Sequence, residues 1–280
     1  MQQDIYPLCR VVMHLLKSLH RLLYDVFIKL KKHQFLFEEL VKRDFKKKYK
    51  RTLLGMGWSV LSPLLTLLVM NMVFSHFFGR RVHHYTIYLF CGTLVFGYYS
   101  ESTKGGMGAL LENSGIFTKV NVPKYLFLLS KNVSATINFA LSLCVFFLFV
   151  FFDNIAFSAR FFFLLYPIAC LLVFNIGAGL VLSALYVFFR DIKYLYDVFV
   201  RLVMYMSAIF YTVDSFSPAK QRLFLCNPVY CYIKYFRIIV VDGGVPSLAY
   251  HLLCAFYALA AFAVGGWCYK RYNHKFLYYV

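Results

Sequence analysis

The chain has 280 residues, of which 61% are hydrophobic, 20% aromatic and only 15% charged. A water-soluble domain carries about 25% charge and roughly 45–50% apolar residues, and disorder needs the opposite bias, so both are excluded. A formal charge of +18 in so apolar a chain points to membrane orientation and anionic headgroups rather than to nucleic acid.

Residues 5–32 place Ile5, Leu8, Val12, Leu15, Leu19, Leu22, Val26 and Leu30 at helical spacing, interrupted by Arg10, Lys17, Arg21, Lys29 and Lys31. That pattern predicts a basic amphipathic helix in the headgroup plane, or one packed on a partner. The first fifty residues lack the clean apolar core of a cleaved signal peptide. A second amphipathic helix is predicted over 35–52, with the cluster Lys42, Arg43, Lys46, Lys47, Lys48, Lys50 and Arg51. A basic segment directly ahead of a span gains about 1 kcal/mol per residue from anionic lipid.

Six stretches approach the roughly 20 apolar residues that a bilayer crossing needs. They are 58–78, 85–100, 133–152, 161–189, 198–213 (with Arg201 able to snorkel) and 248–269. Six crossings put both termini on one side, and 23 of the 30 basic residues then fall on that side. Both ends are therefore expected in the cytoplasm.

Two connections carry structure of their own. Residues 103–130 combine Gly105, Gly106 and Gly108 with a turn signal at Asn113–Gly115, then Ile116, Phe117, Val120, Val122 and Pro123. Exposed apolar residues on a cytosolic loop predict a docking surface, unless the loop folds back on its own helices. Residues 214–246 are too long for a plain surface loop. They read as a short helix near 217–225, a break at Asn227–Pro228, and a second helix with Val229, Tyr232, Ile233, Phe236 and Val240 on one face. A re-entrant pair dipping into the outer leaflet satisfies that pattern.

The chemistry that is missing narrows the function. Carboxylates are almost absent from the predicted spans, Glu101 sitting at the inner end of the second, which argues against a proton- or sodium-coupled transporter. His83, His84 and His251 have no evident acidic neighbour to support general-base work. The eight cysteines form no CxxC and read as apolar filler, with Cys226 and Cys231 the one pair close enough to ask about a disulfide. No GxxxxGK[ST] occurs, so this chain holds no P-loop nucleotide and any driving energy is expected from a partner.

Several separated segments, in order, resemble the ABC-2-type permeases that export polysaccharides, O-antigens and teichoic acids. They are Leu40, Val41, Lys42, Arg43 and Asp44; Tyr49 and Lys50; Leu54 and Gly55; Trp58, Leu61, Pro63 and Leu64; Phe188 to Ile192; Ser207 to Tyr211; and Asn227–Pro228. The resemblance spans roughly 35–275 and implies an all-α, polytopic fold with six transmembrane helices, an N-terminal amphipathic interface helix and external re-entrant helices. In those terms, 1–34 is a basic extension, 35–57 an interface and gate helix, and 58–275 the transmembrane domain with a coupling loop at 103–130 and an external gate at 214–246. The resemblance further implies a homodimer in the bacterial inner (plasma) membrane. A separate ABC ATPase would bind the ATP and Mg, leaving this subunit without catalytic residues, metal or cofactor. Its cargo would be a lipid-linked polysaccharide.

By the same analogy, Asn113, Ile116, Phe117, Lys119, Pro123, Arg190 and Asp191 would dock the ATPase. Arg43, Lys46, Lys47, Tyr49 and Trp58 would meet the lipid-linked phosphate, and Asn227, Pro228, Tyr232 and Phe236 would form the external gate. Aromatic rings stack on sugar C–H faces, so Phe74, Phe77, Tyr98, Tyr99, Phe210 and Tyr211 are channel candidates, although most such rings face lipid. Two alternatives stand beside this reading: an ABC-2 permease for a drug or lipid, and a membrane enzyme modifying lipid-linked glycans.

Overall fold

The computed structural model describes residues 28–50, 52–79, 82–214 and 216–279, and among them it is helical without a strand. Of the predicted N-terminal helix over 5–32, residues 28–32 are helical and the rest lies outside the described residues. The elements that follow are α1 (Gln34–Tyr49), α2 (Trp58–Phe78), α3 (Tyr85–Glu112), the single turn α4 (Ser114–Phe117), α5 (Tyr125–Phe152), α6 (Leu165–Phe188), α7 (Ile192–Met206), α8 (Pro218–Phe224), α9 (Pro228–Val240) and α10 (Leu248–Tyr272). Short 3₁₀ turns lead into α2 and α6 and follow α10.

Four stretches are long and apolar enough to cross a bilayer: Gly55–Phe78, Tyr125–Phe152, Ala159–Phe188 and Leu248–Tyr272. The pair α8–α9, bent by 106°, makes a fifth if taken as one broken span. By length and composition, then, four or five crossings stand against the six expected. The difference lies in α3, which carries Glu101, Lys104 and Glu112, and in α7, which has only 15 residues.

Two expectations are corrected by these boundaries. The glycines at 105–108 do not open a loop, because α3 runs on through them to Glu112. There Gly106 meets Gly179 of α6, and its missing side chain lets the two backbones approach. At 1.5 Å per residue the 28-residue α3 is about 42 Å long, more than the thickness of a hydrocarbon core of about 30 Å. The fifth predicted span, 198–213, is not one helix. The chain leaves α7 at Met206, and Ala208 adopts φ +49.

Small residues also set the closest helix pair. A Cβ on Gly177 would collide with the Ala261 and Phe262 backbone, and one on Gly265 with the Gly177 carbonyl, so α6 and α10 lie nearly in backbone contact. Two cores result. The larger gathers Phe90, Phe146, Tyr232, Tyr235 and Phe236 from α3, α5 and α9. The smaller, at the end of the bundle that carries α1, joins Leu40, Leu110, Phe117, Phe127, Val187, Tyr269 and Phe276. By contrast α2 is almost unpacked, with Leu68, Met72 and Phe77 all exposed, and α7 exposes Tyr194, Leu195, Val198 and Leu202.

Candidate functional site

A cavity of about 700 Å³ lies among α2, α3 and α5 and reaches the end of α1. Its lining is built from polar residues repeated along single helix faces. Ser59, Ser62 and Thr66 on α2 follow i, i+3, i+7 spacing; Thr93, Gly97 and Glu101 on α3 and Asn138 and Ser142 on α5 follow i, i+4. Trp58, Phe90, Phe96, Tyr98, Phe139 and Phe210 supply the rings. The lining as a whole is mainly apolar, and the Ser59, Thr66, Thr93 and Ser142 hydroxyls each donate to a carbonyl of the preceding turn, which satisfies them within hydrocarbon. At its mouth beside α1, Glu101 accepts from Lys48 at 2.8 Å and from Asn138 at 2.6 Å, tying α1, α3 and α5 together.

Below that mouth α1 is strapped to the bundle by charge. The Asp44 carboxylate is nearly sealed from solvent and takes Arg43 at 2.8 Å, Lys131 at 3.5 Å and the Ser130 hydroxyl at 3.2 Å. Glu112 meets Lys131 at 2.9 Å and Lys47 at 3.7 Å. Arg43 also donates to Asn113 Oδ1 at 2.7 Å, while Asn113 Nδ2 donates to the Ala109 carbonyl. Of the basic residues expected to meet a lipid phosphate, Arg43 is therefore committed to internal partners. Lys47 is loosely paired, and Lys46 points outward. Tyr49 ends α1, its side chain lying outside the described residues, and Trp58 opens α2 on the cavity wall.

The predicted docking residues divide in a similar way. Phe117, expected on the surface, is buried against Phe127 in the cytosolic core, where water makes such burial worth about 1.5–3 kcal/mol. Asn113 is buried as the brace just described, and Ile116 and Pro123 are half-buried. The exposed residues here are Gly115, Thr118, Lys119, Val120 and Asn121, followed by Arg190 and Asp191 after α6. Lys124 supports the loop from beneath, donating to the Asn273 carbonyl at 2.6 Å, and burial lowers its pKa.

At the opposite end, α9 is an interior helix. Tyr232 and Phe236, expected in an external gate, are fully buried, and the Tyr232 hydroxyl donates to the Cys254 carbonyl. Asn227 caps α9 through Val229 N at 3.0 Å and reaches back to the Met206 carbonyl and Ser207 hydroxyl, with Pro228 as the first helical residue. Arg237, which the sequence leaves as one more external cation, is 2% exposed. Its guanidinium donates to the carbonyls of Tyr88, Ala208 and Ile209 and lies 3.4 Å from the centre of the Tyr88 ring. Tyr85 and Tyr88 hydroxyls take the carbonyls of Phe210 and Tyr211. The non-helical turn after α7 thus finds donors for its carbonyls inside the protein, as backbone at membrane depth must.

The six aromatic channel candidates separate. Tyr98 and Phe210 line the polar cavity, with Phe74 stacked on Phe210 at 4.6 Å. Tyr99 and Tyr211 line a different, apolar cavity of about 980 Å³ between α6, α7 and α10. Phe77 faces outward from α2. Sequence reasoning missed Ser59, Ser62, Thr66, Asn138 and Ser142, although their one-face spacing inside apolar runs was a readable signal.

Smaller features complete the inventory. His84 does have an acidic neighbour, with Nδ1 2.5 Å from the Asp153 carboxylate across the outer ends of α3 and α5. Cys226 and Cys231 are free thiols. No cluster of three metal-ligating side chains occurs among the described residues.

Comparison with known proteins bears on this arrangement. The model for "ABC-2 type transporter" matches residues 36–241. The chain is 24% identical over 246 residues to an O-antigen export system permease protein RfbA of Klebsiella pneumoniae, covering 86% of this chain and 95% of the relative. A protein of the same name from Myxococcus xanthus is 24% identical over 214 residues, covering 74% and 81% of the two chains. The polysialic acid transport protein KpsM of Escherichia coli is 20% identical over 209 residues, with 74% and 81% covered. A multi-pass helical chain matched over most of its length, with a polar cavity inside apolar helices, belongs to the ABC-2 type transporter family.

Proposed function

We propose that the chain is the membrane-spanning permease subunit of an ATP-driven exporter of a lipid-linked surface polysaccharide. In this reading α3 and α7 are the two further crossings, making six with both termini cytoplasmic. The chain pairs with a second copy and with a separate ATPase that binds ATP and Mg. The observation that carries the proposal is the polar cavity of α2, α3 and α5: hydroxyl, amide and aromatic groups that suit a sliding glycan, in a chain whose relatives are named for export of O-antigen and polysialic acid. The exposed apolar faces of α2 and α7 offer the dimer contact, since such faces need either lipid or a partner helix.

The cytosolic loop supplies the test. Val120 is its exposed apolar residue, and the ATPase is expected to seat there. Val120→Asp should abolish co-purification with the ATPase while the chain itself remains monodisperse. Because Phe117 is in the core, Phe117→Asp would break the fold and cannot serve. The purified chain alone should hydrolyse no ATP, whereas the complex should move lipid-linked glycan in an ATP-dependent way. Unaltered association of the Val120→Asp chain would remove the docking assignment. Glycan modification by the isolated chain would instead select a membrane enzyme. The apolar 980 Å³ cavity favours a lipid or drug cargo as the second reading, which transport of lipid without glycan would establish.

A further inference from the structure

Arg237 is a buried cation whose bonds do not by themselves call for a charge. Among the described residues its guanidinium donates to carbonyls alone, those of Tyr88, Ala208 and Ile209. The next two carbonyls of the same turn, at Phe210 and Tyr211, are served by the neutral hydroxyls of Tyr85 and Tyr88. Neutral donors therefore suffice for this backbone, whereas burying an ion is costly unless an opposite charge compensates it. Asp214 and Asp242, on the turns before α8 and after α9, are both exposed, and Asp214 faces Lys234 at 3.8 Å. No carboxylate among the described residues bonds the guanidinium, so its positive charge stands unneutralised.

That charge stands directly behind one end of the cavity of α2, α3 and α5. On α3 the lining runs from Glu101 back to Phe90, which is about 16 Å of helix. Arg237 meets α3 at the Phe90 end. It bonds the Tyr88 carbonyl, and a Cβ on Gly92 would come within 3.0 Å of its Nη2. On its other side it bonds the carbonyl of Ile209, which lines the same cavity together with Phe210, and Phe210 is stacked on Phe74 at 4.6 Å. The far end differs in kind, because Glu101 there is already paired with Lys48.

We infer that Arg237 is a charge-selective seal, a fixed positive charge that turns back protons and metal cations where the cavity ends and leaves anions unopposed. The inference rests on the permease reading, in which this cavity is the conduit. A path for a bulky polymer has to hold ion gradients when it is idle. Packed rings exclude large groups, and a fixed charge excludes the small cations that could slip between them. In a low-dielectric interior such a charge is poorly screened, and an arginine at a constriction is a barrier of this kind.

Ion flux through liposomes that carry the full-length chain tests the seal, read only from monodisperse preparations. Arg237→Gln keeps amide donors for the turn and loses the charge. It should raise potassium and proton leak about tenfold over wild type while chloride leak stays unchanged. Arg237→Lys, which keeps the charge, should stay as tight as wild type. Phe210→Ala covers the case in which Arg237→Gln fails to fold, since it thins the cavity wall and leaves the arginine in place. Its leak in a potassium chloride gradient should favour chloride over potassium about tenfold. Three results overturn the proposal: a folded Arg237→Gln chain as tight to potassium as wild type, equal cation leak in the Gln and Lys variants, or a Phe210→Ala chain without preferential chloride leak. A Phe210→Ala chain that passes neither ion belongs with the last, because packing alone would then make the seal. Failure of the exporter reading appears instead as absent association with an ATPase, which is measured separately and leaves the flux results standing.

Discussion

The two ends of the bundle are held by different chemistry. At the end of the bundle that carries α1, α1 is fastened to α3 and α5 by ion pairs: Asp44, flanked by Arg43, with Lys131, Glu112 with Lys131 and Lys47, and Glu101 with Lys48. Except at Asp44 and Lys131, these groups are well exposed, so each pair is worth about 0–1 kcal/mol and is screened by salt. At the opposite end, no carboxylate among the described residues bonds Arg237. A buried guanidinium and two tyrosine hydroxyls bond backbone carbonyls, and α9 packs ten of its thirteen residues into the core. Water can replace the first kind of tie cheaply and the second hardly at all.

The comparison breaks first at Arg237. Arg237→Leu orphans three buried carbonyls at about 1–3 kcal/mol each, so the variant should fail to yield monodisperse protein on gel filtration. A well-behaved variant would mean the outer end is far looser than its bonding implies. Next is Asp44→Ala, which leaves Lys131 half-enclosed beside Arg43. Breaking a largely buried pair costs about 3–5 kcal/mol at most, and limited proteolysis should show α1 released with the spans intact. The smallest effect is expected from Lys48→Gln. It removes an exposed pair at Glu101 and should alter thermal stability by less than about 1 kcal/mol, an effect that vanishes at high salt. A large, salt-insensitive loss would show that the cavity mouth is not a replaceable tie.

Much of this was legible in the residues. The apolar runs predicted α2, α5, α6 and α10, because a bilayer crossing imposes a length and an apolarity that few other structures need. The break at Asn227–Pro228 was readable because Asn227 caps the N-terminus of α9 and Pro228 is its first helical residue. The cavity was half legible: Glu101 and Trp58 stood out, but Ser59, Thr66 and Asn138 lie inside apolar runs and did not. Their significance lies in facing one another across three helices.

Sequence by itself determined that the chain is helical and membrane-embedded, since composition, run length and helical spacing are local properties. That α3 runs on through its glycines to Glu112, that Phe117 is core and not surface, and that Arg237 is buried and donates to three carbonyls were decided only in three dimensions. A side chain's exposure and partners depend on helices distant in the chain: Arg237 meets Tyr88 across 149 positions, and no local pattern records that pairing.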